Sequence, residues 1–134
     1  MVSNLQRVND AATAELEPGE QIQATLPRAL LGGSKWLPGN VFTGPGMLFA
    51  VVVTDRRLLL FKGDRGMTHA SWSLYGSCPR SVARVAEFKP GVVFAKLVLE
   101  IPGEGSAGPR LMPLNVHMYQ RKDARLVVAA LATS

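Results

Sequence analysis

Side chains able to do chemistry are few in this chain of 134 residues. The one cysteine, Cys78, is the obvious nucleophile, and the histidines are His69 and His117. A nucleophile needs a base at hydrogen-bond distance and a third group to orient that base. Cys78 and His69 fall near one turn, but no pattern brings them together or supplies the third group. Cys78 therefore reads as an inert small residue. Two histidines and one cysteine far apart in sequence match no zinc spacing. His117 reads as a cap or surface residue at the start of the last helix. The loop 102–109, Pro-Gly-Glu-Gly-Ser-Ala-Gly-Pro, has the glycines of a phosphate cradle. It precedes a strand rather than a helix and lacks Gly-Lys-Ser/Thr, so it reads as a hairpin loop. The expectation is no enzyme, no metal and no cofactor.

Composition narrows the remaining classes. The length fits one domain, able to bury roughly two-thirds of its unfolded surface without a staple. An apolar fraction of 47% with 19% charged residues excludes a disordered tail or a charged coiled coil. Thirteen glycines and nine prolines without a period favour short elements joined by many turns. The net charge of +5 admits anionic partners, although the basic residues are scattered rather than run together. A lone cysteine makes no internal disulfide and suits a reducing cytoplasm. Residues 1–7 lack the features of a signal peptide, and the apolar run 47–53 is far shorter than the roughly 20 residues of a membrane helix.

The periodicity supplies the elements. Ser3 and Gln6 have capping-box spacing, and Leu5, Val8, Ala12 and Leu16 follow at helical intervals until Pro18-Gly19. From Glu20 the period becomes two, with Ile22, Ala24 and Leu26 on one face and Pro27 at an edge or bulge. The breaker-rich stretch 32–46 contains Lys35 and Trp36. Residues 47–54 and 58–62 read as a β-hairpin around Thr54-Asp-Arg-Arg57, and 68–75 as a weaker strand that Gly76-Ser-Cys-Pro79 ends. Residues 81–88 form a strand with a bulge. Val93, Ala95, Leu97, Leu99 and Ile101 line one face of the next strand, opposite Phe94, Lys96, Val98 and Glu100. Residues 110–116 are a last strand. Residues 117–132 are an amphipathic helix carrying Ala124, Val127, Val128 and Leu131.

Three of these stretches together resemble the bacterial pleckstrin-homology-like domains of the PH and GRAM superfamily. They are Leu16-Glu-Pro-Gly-Glu20 before an alternating strand, the hairpin Val51-Val-Val-Thr-Asp-Arg-Arg-Leu-Leu-Leu-Phe61, and the single closing helix. The resemblance implies a mainly β fold, a seven-stranded, bent antiparallel barrel closed by the C-terminal helix. Residues 18–134 would form that domain and residues 1–17 an additional helix with no assigned position. It also implies that the loops after the first, third and sixth strands converge, bringing Lys35 and Trp36 near Lys62, Arg65 and Arg110.

Those basic groups would grip an anionic headgroup, with Trp36 at the interface. The first loop carries Lys35 alone, and Asp64 and Glu104 dilute the field, so phosphoinositide specificity is not expected. Nucleic acid is disfavoured because Lys96 beside Phe94 alternates with Glu100. The leading expectation is a cytoplasmic, non-catalytic binding module for a protein partner or for self-assembly into an oligomer. Phe94 and Val98 on the wet face would supply the contact. Peripheral attachment to anionic membrane is the alternative.

Overall fold

Seven consecutive residues, Leu48–Thr54, are buried on both faces of one strand, and that observation organises the molecule. A strand apolar on both sides must lie between two layers. The computed structural model describes residues 3–32, 48–63, 72–102 and 110–132. Along them run helix α1 (Asn4–Glu15) and strands β1 (Ile22–Leu31), β2 (Leu48–Thr54), β3 (Arg57–Gly63) and β4 (Trp72–Pro79). After a 3-10 turn at Arg80–Val82 come β5 (Arg84–Lys89), β6 (Phe94–Ile101) and β7 (Arg110–His117). A second 3-10 turn, Met118–Gln120, leads into α2 (Arg121–Ala132). The strands form one antiparallel sheet in the order β4-β3-β2-β1-β7-β6-β5.

The inner face of the sheet forms the main core. Leu26, Phe49, Val51 and Leu60 from one half share a single buried cluster with Leu97, Leu99, Met112 and Leu114 from the other. Ala124, Val127 and Leu131 of α2 complete it. Arg80 ties that helix down, its guanidinium donating to the Ala130 carbonyl near the helix C-terminus, where a cation also meets the negative end of the helix dipole. Pro27 sits in β1 at an irregularity in the β1–β2 register between Leu26 and Ala29. It is tolerated there because no regular ladder bond is required of it.

The outer face of β2 and β3 is covered by α1, which gives the N-terminal helix its position. Val8 and Ala12 pack on Ala50, Val52, Leu59 and Phe61. Ser3 Oγ accepts from the Gln6 N–H, capping the helix. Asn4 Nδ2 donates to the Pro27 carbonyl, and its Oδ1 accepts from Trp72 Nε1 at 3.1 Å. Thr25 Oγ1 donates to Asn9 Oδ1 at 2.7 Å.

The Thr54–Arg57 turn is a clasp between this helix and the sheet. Pro18 and Gly19 occupy the middle of a turn closed by the Glu20 N–H on the Glu17 carbonyl, and Gly19 takes the left-handed φ of 84° that suits glycine. The turn delivers the buried Glu20 carboxylate to Arg57, which donates from Nε at 3.0 Å and from Nη2 at 2.6 Å. Thr54 Oγ1 donates to the same carboxylate at 2.6 Å and accepts from the Arg56 and Arg57 N–H groups. Arg57 also reaches the Glu15 carbonyl at the end of α1. The guanidinium hydrogen bonds outweigh the burial that opposes ionisation and hold the Glu20 carboxyl at about 2, from an ordinary 4.5. The paired residues of this motif are structural.

Several sequence expectations shift. The strand β4 runs on through Gly76-Ser-Cys-Pro79 instead of ending there, because among the described residues it is an edge strand, paired only with β3. The strand expected over 81–88 begins at Arg84, after the 3-10 turn, with its irregularity between Val85 and Glu87. The C-terminal α-helix starts at Arg121, since β7 extends through His117. Leu5 of the expected α1 stripe is exposed.

Candidate interaction surface

Strand direction brings the ends of β1, β3 and β6 and the starts of β2, β4 and β7 to one end of the sheet. Two of the candidate anion-binding residues fall there within the described chain. Lys62 is exposed near the end of β3, and Arg110 is half-buried at the start of β7, opposite Ile101. Lys35, Trp36 and Arg65, like His69, lie outside the described residues. Arg110 lines a groove of about 300 Å³ with Tyr75, Ser77 and Cys78 over an apolar floor of Leu58, Leu60 and Ile101. Burial raises the pKa of the Cys78 thiol, the opposite of what a nucleophile needs. Among the described residues no group of three or more His, Cys, Asp or Glu side chains is placed to hold a metal ion.

The opposite end of the sheet carries a different surface. Phe94 opens β6 and pairs in register with His117, the last residue of β7. Their rings meet edge to face at 5.6 Å, and His117 lies 4.8 Å from the ring of Tyr119. Phe94 is 47% exposed and Tyr119 84%. Beside them, Val92 is 88% exposed, and Val93 and Met118 are also open to solvent. These residues form one aromatic and aliphatic ridge from two segments, the β5–β6 turn and the turn before α2.

The ridge is held in place by backbone bonds. The Met118 N–H donates to the Val93 carbonyl at 2.9 Å. Arg121 donates to the Gly91 carbonyl and, at 3.5 Å, to that of Val92. Gly91 permits this tight turn, because a Cβ there would lie 2.0 Å from the Phe94 carbonyl oxygen. An apolar side chain as exposed as Val92 on a turn so restrained is displayed at little further entropic cost on binding.

A groove of about 410 Å³ runs along the ridge, lined by Arg28, Leu30, Phe94, Asn115, His117 and Tyr119 among others. Its apolar walls and few convergent polar groups suit a protruding side chain or short peptide segment.

Phe94 thus sits in an exposed cluster, but its expected companion does not. Val98 is 2% exposed, a correction to its place on a wet face. Strand β6 is flanked on both sides, and Val98 lies in register with Pro113 of β7 and Glu87 of β5. Alternation along one strand carries no information about that cover. Val93, expected on the core face of this strand, lies just before it and is 52% exposed, and sequence reasoning missed Val92, Met118 and Tyr119. The available signal was three apolar residues directly after Pro90-Gly91, too close to the turn for all to reach the core.

Compared with known proteins, the chain matches no family model and no curated protein.

Proposed function

We propose that this chain is a non-catalytic, PH-like binding module that engages a protein partner through the Val92–Phe94 and Met118–Tyr119 ridge. The observation that carries the reading is Tyr119, 84% exposed and stacked beside His117 on a turn fixed by Arg121 and Met118. Exposed apolar side chains gathered into one patch beside a groove are a recognised mark of interaction sites, whereas single ones are ordinary. The seven-stranded sheet with a helix across its inner face supports the PH-like assignment. Burial, by raising the Cys78 pKa, disfavours its use as a thiolate nucleophile.

Replacing Val92 and Tyr119 together by Ser tests the reading. Both are surface positions, so the melting temperature should stay within about 2 °C. In extracts of the cells that make the protein, size-exclusion chromatography should find the parent chain in a larger complex and the double variant free. A complex that survives both changes, or a parent that elutes alone, would overturn the assignment. The second reading, contact with anionic membrane at the opposite end, rests on exposed Lys62. Sedimentation with anionic vesicles that is lost on Lys62→Ala would favour it.

A further inference from the structure

The ridge and groove carry a charge pattern that narrows the partner, an inference resting on the interaction reading above. Arg28 stands at the groove wall, exposed, with no hydrogen-bond or ion-pair partner among the described residues. Lys89, Lys96, Arg121 and Lys122 lie on the bordering strands and helix turn. The carboxylates on those elements are Glu87, Asp123 and, toward the far end of β6, Glu100. Glu87 pairs with both Lys89 at 3.2 Å and Lys96 at 3.6 Å, so these three together carry one net positive charge.

We infer that the occupant of this groove is an acidic peptide segment with an aromatic or aliphatic anchor. The anchor would enter between Phe94, His117 and Tyr119, and a neighbouring carboxylate would meet Arg28. A guanidinium at the rim of a partly apolar groove is matched by a carboxylate, which accepts two of its N–H groups. A second copy of the chain fits poorly, because a two-fold contact would set this basic surface against itself. A single-stranded nucleic acid would use the rings and the cations but leave Val92, Val93 and Met118 uncovered.

Selection of random dodecamer peptides displayed on phage against the full chain tests the inference. The enriched sequences should combine Asp or Glu with Trp, Phe or Leu. A synthesised winner should bind Tyr119→Ser and Arg28→Glu at least about tenfold more weakly. With Arg28→Glu as the target, the acidic preference should fade. Enriched sequences without acidic residues, but still lost on Tyr119→Ser, would overturn the acidic partner and leave the interaction surface standing. Winners indifferent to both substitutions would overturn both. A concentration-dependent dimer that Phe94→Lys dissolves would make the occupant a second copy, and oligo-dT binding lost on Tyr119→Ser would make it a nucleic acid. Either result would overturn the inference.

Discussion

Arg57→Met removes the cation from the clasp while keeping much of the side-chain volume. Glu20 is then left with the Thr54 hydroxyl and the Glu17 N–H as donors, at 2.6 and 3.0 Å. A carboxyl of ordinary pKa 4.5 held at about 2 corresponds to roughly 3 kcal/mol at 1.36 kcal/mol per pKa step. That is an upper limit, since the Arg57 side chain is 23% exposed and solvent screens the pair. Breaking one side of a buried pair costs about 3–5 kcal/mol. With two donors remaining, the expected loss is about 2–3 kcal/mol, or roughly 10 °C in melting temperature for a domain of this size. The pH dependence has a definite sign. The folded pKa lies below the unfolded one, so the stabilisation is complete above about pH 4.5 and fades as pH falls through about 2. Urea melts of parent and variant at pH 7, 4.5, 3 and 2 should show a gap that is full at neutral pH and closes in acid. Adding Glu20→Gln to Arg57→Met should recover part of the loss by removing the stranded charge. A gap below about 1 kcal/mol at pH 7, or one unchanged down to pH 2, would refute the reasoning.

Two further outcomes concern packing and one concerns reactivity. Val51→Asp places an unpaired carboxylate in the inner core between the sheet and α2 and should abolish the cooperative melt, as circular dichroism would read. Val8→Asp should release α1 while leaving the inner core folded. In a Trp36→Phe background the emission of Trp72, which donates to Asn4, should then shift to the red without loss of sheet signal. Cys78, its pKa raised by burial, should react with a disulfide reagent at pH 7 far more slowly than free glutathione, and should reach the glutathione rate only in denaturant.

The strands were legible where each residue had one simple job. The alternation at Ala95, Leu97, Leu99 and Ile101 reports the core face of β6 because that face meets the core directly. The hairpin around Thr54–Arg57 was legible as a turn, but its ion pair joins residues 37 apart and is beyond local pattern. The helix α1 was visible from its cap and stripe, yet a stripe as narrow as Val8 and Ala12 does not say which sheet face it covers. The unbroken run of valines in β2 did hint at a second cover, since a strand with one wet face alternates. The ridge was least legible. Met118 and Val93 meet only because β5–β6 and β7–α2 turn at the same end of the sheet, and burial of Val98 depends on two other strands.

The most direct measurement is site-specific photocrosslinking in the cells that make the protein. A benzoylphenylalanine replaces Val92 on the ridge in one variant and Ser73, exposed on β4, in another. The account predicts a discrete heavier adduct from position 92, carrying a second protein, and none from position 73. No adduct at position 92, or the same bands from both positions, would contradict it.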